Sequence, residues 1–206
     1  MISSIQVIYR VLVDAMTVRQ SLLVMLDEGP KYGAQLRAEF EQRTGATWPL
    51  NVGQVYTTLA RLERDGLVRA AGENDVGHVL YRITAAGSRE VAAWFSEPVE
   101  RDAPVRDELA IKLALAVAVP GLDIRALVSR QRTATMGALQ DYTHLKDRLM
   151  DDPDELSWLL VLDSLVFAAE AEVRWLDHVE ARVARAGLQR EQRAGQRAQA
   201  GAEQYR

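Results

Sequence analysis

The chain of 206 residues has no cysteine, which excludes disulfides, thiolate nucleophiles and thiol-held zinc or iron–sulfur centres and fits a reducing cytosol. It has only three histidines, His78, His144 and His178. They fall in separate elements without ligand spacing, so neither a metal nor another cofactor is expected. Long apolar runs are missing too: nothing approaches the roughly 20 residues of a membrane span, and the first fifteen residues lack a basic start and a small-residue cleavage site. A cytoplasmic protein without a membrane partner is expected. There is no nucleophile elbow, phosphate loop or zinc-helix signature, and the carboxylates of the C-terminal half mostly stand three or four residues from arginines, as in solvated ion pairs. The sequence does not read as an enzyme. Finally, an excess of basic charge is lacking: 25 Lys and Arg face 29 Asp and Glu, for a net charge of −4. Any binding of nucleic acid must come from a local surface.

What is present is helical periodicity, interrupted once. From Thr17, the apolar residues Val18, Leu22, Met25 and Leu26 recur at helical spacing until Glu28-Gly29-Pro30. Tyr32, Leu36 and Phe40 mark a second helix over 31–43, and Thr44-Gly45 and an extended Trp48-Pro49-Leu50 follow it. Asn51 is placed to cap a third helix through the amide of Gly53 or Gln54. There Val52, Val55, Leu59 and Leu62 share one side, while Gly53, Gln54, Thr57, Arg61 and Arg64 gather on the other. Past Asp65-Gly66, two short strands over 67–71 and 79–84 flank a Gly-Glu-Asn-Asp-Val-Gly tip.

After Thr84 a helix is expected to about Phe95, then a Pro-bearing charged linker. Three further helical patterns run over 109–119, 123–150 and 153–186. In the last, Leu159, Leu162, Val166, Ala169, Val173, Leu176, Glu180 and Val183 form a heptad-like seam suited to helix association. The Gln/Arg/Ala/Gly-rich tail from Gly187 is expected to fray. The resulting division is an N-terminal extension (1–15), a helix–hairpin domain (16–95), a linker (96–106), a helical domain (107–186) and a flexible tail (187–206). Met16 is an alternative natural start.

Three short helices and a hairpin, with small, polar and basic groups turned outward on the third, make the layout of a winged helix-turn-helix. The fold class is thus mainly α, a winged helix-turn-helix with a small β-hairpin wing plus a C-terminal helical dimerisation domain. A helix entering the major groove needs an uncluttered first turn, which Gly53 and Thr57 allow, and Gln54 offers an amide able to pair with adenine. Arg61 and Arg64 suit phosphate or guanine. Arg69, His78 and Arg82 on the hairpin suit phosphate oxygens.

Leu22-Leu23 through Glu28-Gly29-Pro30-Lys31-Tyr32-Gly33, then 48–59 (Trp48 to Leu59), Arg61-Leu62-Glu63-Arg64-Asp65-Gly66-Leu67-Val68 and Tyr81-Arg82-Ile83-Thr84-Ala85-Ala86-Gly87 closely resemble the PadR family of bacterial winged-helix regulators. More loosely, Asp107 to Leu113 and Arg174-Trp175-Leu176-Asp177 resemble the helical dimerisation domain of its longer members. The resemblance implies a homodimer that binds an inverted-repeat DNA operator, usually as a repressor, and releases it on binding a small aromatic or drug-like effector. Two departures stand out: Ala34 replaces a tyrosine common in relatives, and Glu73 and Asp75 make the wing tip acidic.

The expected DNA-binding set is Lys31, Asn51, Gly53, Gln54, Tyr56, Thr57, Arg61, Arg64, His78 and Arg82. For Tyr56 the choice lies between a phosphate contact and closure of the core edge; for Lys31, between a donor beside a helix N-terminus and an exposed side chain. Trp48 is expected to plug the small core. Trp94, Trp158 and Trp175 are candidates for stacking a planar effector, against plain core packing. Residues 16–95 carry nine Lys/Arg and nine Asp/Glu, and residues 96–186 eleven and seventeen. A neutral reader on an acidic scaffold must bind through a few well-placed groups. The competing expectation is a helical protein-interaction module without operator binding.

Overall fold

In the computed structural model, residues 17–99 and 107–203 are described, with backbone alone for 190, 191 and 193–203. The N-terminal extension, the choice between Met1 and Met16, and linker residues 100–106 lie outside them. The chain divides into two units, Met1–Arg101 and Asp102–Arg206.

In the first unit, helix α1 (17–27) is followed by α2 (Gly33–Arg43), α3 (Val52–Arg64), strands β1 (Val68–Glu73) and β2 (Val79–Ile83), and α4 (Ala85–Ser96). Leu22, Leu23 and Leu26 of α1, Leu36 of α2, Val55, Leu59 and Leu62 of α3, and Val68 of β1 are all but inaccessible. They form one core with Phe40, Leu50, Leu67 and Val91. The spacing of these residues is why the helices form: each presents one apolar stripe to the same centre. Thr84 caps α4 by accepting from the Gly87 amide at 3.2 Å. Gly87 has no room for a side chain, since a Cβ there would meet the Leu67 carbonyl at 2.4 Å. α4 can therefore lie directly against the base of the hairpin.

Two expectations about burial are corrected. Trp48 is 52% exposed, and it is Leu50, two residues on, that joins Leu36 and Phe40 in the core. Val52 is 43% exposed, since the first turn of α3 projects past the core and leaves the packing to Val55, Leu59 and Leu62.

The second unit comprises α5 (Glu108–Ala116), α6 (Ile124–Leu149), a 3-10 turn (Pro153–Glu155) and α7 (Leu156–Glu203). Asp107 and Asp123 cap α5 and α6 through the amides of Ala110 and Ala126, each at 3.0 Å. α6 and α7 form an antiparallel hairpin. Leu162, Ala169 and Leu176, spaced seven apart on the expected seam, are buried, and Leu176 packs with Leu113, Ala116, Leu127 and Val128. Polar pairs fix the register: Gln131 donates to Glu172 at 2.9 Å, Arg132 meets Asp177 at 2.9 Å, and Lys146 pairs with Asp163. The tail departs from expectation, since α7 continues as helix to Glu203. Ala, Gln and Arg are strong helix formers, so a shortage of apolar residues does not by itself end the helix.

Candidate nucleic-acid interface

α3 begins where its sequence dictates. The Asn51 side chain accepts from the Gly53 amide at 2.8 Å and so satisfies one of the unpaired donors of the first turn. This bond makes Asn51 a cap first. With Val55, Leu59 and Leu62 turned to the core, Gly53, Gln54, Thr57, Arg61 and Arg64 stand exposed on the opposite side. They are the groups the sequence placed there.

Tyr56 lies on the flank of this face, 43% exposed. Its ring rests on the start of α2, where a Cβ on Gly33 would come within 2.8 Å of two ring carbons. Lys31 is not the exposed side chain that was one of the two alternatives weighed for it. Its side chain is 11% exposed, and its ammonium lies 2.8 Å from both Glu28 and Glu39. Arg43 joins the same two carboxylates. Burial raises the affinity of the Glu28 carboxyl for its proton, but hydrogen bonds from Lys31 and Arg43 outweigh it and hold the group down at about 2. The Lys31 charge is thus used internally, because two acids converge where the chain enters α2.

The hairpin is clamped on both sides. On the β2 side, Lys31 and Tyr81 exchange backbone hydrogen bonds of 3.1 and 3.0 Å. On the β1 side, the Glu63 carboxylate of α3 accepts from the Ala70 amide at 3.0 Å. Burial, with Glu63 and Tyr56 nearby, raises the Tyr81 phenol above its ordinary value. The wing is therefore tied to α3 itself. Arg69 and Arg82 are directly opposed in the register and both exposed. Opposed like charges destabilise a hairpin unless an anion joins them. The ion pairs of this unit leave Arg61, Arg69, Arg82 and Arg89 unpaired among the described residues.

At the tip, the Asn74 side chain accepts from the Val76 and His78 amides at 3.2 and 2.8 Å, and Gly77 takes φ 81°. His78 is exposed, but its ring stacks on Tyr32 at 4.7 Å. It braces the hairpin against α2 with one face. Arg64 donates to Asp65, which also receives Arg19 at 2.9 Å. The hydrogen bond from Arg19, opposed by burial and helped by Arg64, lowers the Asp65 carboxyl. Arg64 can leave for another anion without stranding Asp65, because Arg19 remains.

Of the three candidate tryptophans, one lies in the first unit and two lie on α7. Trp94 belongs to the first unit, half-exposed beside Phe95 at 4.9 Å. Trp158 and Trp175 lie on α7, where 17 residues span about 26 Å at 1.5 Å per residue. Trp175 packs against the core of its unit. The sequence reading missed Tyr32, Gly33 and Glu63, whose roles rest on contacts between elements that no periodicity announces. Among the described residues no group of acids and histidines is arranged to hold a metal ion, and no helix is long and apolar enough to cross a membrane.

Residues 22–93 match the model of the transcriptional regulator PadR-like family, and residues 105–184 that of the virulence activator alpha C-terminal domain. A probable transcriptional regulator of Mycobacterium tuberculosis is 29% identical over 181 residues, covering 80% of this chain and 96% of the relative. Bacillus subtilis PadR, solved in complex with operator DNA, has a TM-score of 0.64 at 20% identity, over 81% of this chain and 99% of that one. The same protein with p-coumaric acid gives 0.66 at 21% identity, over 81% and 98%. The Vibrio cholerae virulence activator AphA gives 0.61 at 22% identity, over 82% and 99%.

Proposed function

We propose that this chain, which belongs to the PadR-like family of transcriptional regulators, binds an inverted-repeat DNA operator as a homodimer and represses transcription until a small aromatic effector releases it. The observation that carries the DNA reading is the outer face of α3. Gln54, Thr57 and Arg61 stand free on it, uncovered by the first unit's own chain, beside the opposed Arg69 and Arg82 of a wing fixed to that helix. In the groove Gln54 reads a base edge, while Tyr56, Arg61, Arg64 and Arg82 position the helix on phosphates. Lys31 drops out of the contact set, and Asn51 serves by capping.

Homodimerisation is supported by the second unit. Leu156, Leu160 and Phe167 are 61%, 62% and 64% exposed on the side of α7 opposite the buried Leu162, Ala169 and Leu176. A second apolar stripe on a helix already packed along its first suits another copy of the chain. The two heads would then read half-sites about one DNA turn apart. The effector reading draws on Bacillus subtilis PadR, solved with p-coumaric acid.

Titration of a selected duplex at two salt concentrations tests the proposal. Affinity is expected to fall steeply with salt, in proportion to the phosphates engaged. Absent or salt-independent binding would favour a protein-interaction module and overturn it.

A further inference from the structure

We infer that Gly33 is a positioning residue that sets the height of the Tyr56 hydroxyl above the DNA backbone; this rests on the DNA reading above. Gly33 opens α2 and is buried. Its φ is not among the positive ones, so the backbone there does not demand glycine, and glycine costs chain entropy at a helical position. What demands it is the ring of Tyr56. A Cβ on Gly33 would lie 2.8 Å from Cε1 and Cζ and 3.1 Å from the hydroxyl oxygen. To regain ordinary contact at 3.4 Å the ring must rise by at least about 0.6 Å.

The ring is free to rise, because Tyr56 is 43% exposed and its outer side is open. An alanine at this position is therefore expected to leave the core intact and move the phenol. A hydroxyl–phosphate hydrogen bond is made at about 2.5–3.0 Å and weakens steeply outside its geometry. A ring lifted by several tenths of an ångström either collides with the phosphate or pushes the duplex away from α3. The bare backbone of α2 thus serves as a seat for Tyr56, and the seat decides whether one phosphate is gripped.

The test uses the full chain and a duplex that the wild-type protein selects from a random library. Neutral methylphosphonate linkages are placed one at a time along its backbone, and affinities are compared for wild type, Tyr56→Phe, Gly33→Ala and the double variant. In the wild type, one linkage per half-site is expected to cost about three- to tenfold through the loss of the Tyr56 bond. That cost is expected to vanish in Tyr56→Phe and equally in Gly33→Ala, with the double variant no worse than Tyr56→Phe alone.

A merely structural role for Gly33 would weaken binding at every linkage alike and leave the special linkage sensitive, which overturns the inference. So does a Tyr56→Phe variant that keeps the sensitivity, while duplex binding itself survives. If Gly33→Ala fails to fold, adding Tyr56→Ala removes the clashing ring and must restore the melt; failure to do so also overturns it. A wild type that binds no duplex defeats the DNA reading itself.

Discussion

Replacing Lys31 by methionine separates a stabilising ion-pair cluster from a DNA contact. The ammonium, on a side chain 11% exposed, makes two hydrogen bonds of 2.8 Å to carboxylates. Bonds of this kind are each worth roughly 1.5–3 kcal/mol before discounting. The discount is large, since the Glu28 side chain is 44% exposed and Arg43 stays within 2.7 Å of it, while methionine refills the space of the lysine stem. A net loss of about 2 kcal/mol remains. For a unit of this size it lowers Tm by roughly 10 °C. Calorimetry of the full chain measures that, and duplex titration against salt measures the other half. The salt slope is expected to stay that of the wild type, whereas Arg61→Ala and Arg82→Ala each reduce it by about 0.9. An unchanged Tm together with a slope reduced by about one would refute the ion-pair assignment and return Lys31 to the duplex.

Other expectations follow from the same geometry. Gln54→Ala should relax preference at one base position by about 1–3 kcal/mol, while Arg64→Ala weakens cognate and random duplexes alike; equal losses for Gln54→Ala on both would remove its reading role. Glu28 is held at about 2 against an ordinary 4.5. Its folded-state value is depressed, so its contribution is fully present above about pH 4.5 and lost as pH falls toward 2, as acid melts should show, with a flatter profile in Lys31→Met. Ala46, at φ 54° in the turn between α2 and α3, is a left-handed non-glycine residue. Ala46→Gly is expected to raise the free energy of unfolding by about 0.5–1 kcal/mol, seen as a higher urea midpoint, and a lower midpoint would show that the turn relaxes otherwise.

The first unit was legible where its signals are local. Asn51 before an apolar stripe, Asp65-Gly66 after it, and alternation on either side of Asn74 each act within a few residues, and α3, the wing and its cap appear where those signals put them. Partners distant in sequence were not legible. Nothing near Lys31 announces that Glu39 turns back toward it, and nothing near Trp48 shows that Leu50 has already taken the interior. Helical rise sets Trp158 and Trp175 about 26 Å apart on α7, so within one copy they do not stack on the same ligand. The helix beyond Gly187 was misread because a lack of apolar residues speaks of packing, while Ala, Gln and Arg favour helix on their own.

The clamps on the two sides of the hairpin have a consequence for self-association. A two-stranded ribbon ordinarily presents two unsatisfied rims on which a neighbouring molecule's strand can dock and propagate into fibrils. Here Lys31 occupies one rim at Tyr81 and the Glu63 carboxylate takes the Ala70 donor on the other. At those positions the backbone donors of Tyr81 and Ala70 are already taken and cannot start pairing with a neighbouring strand.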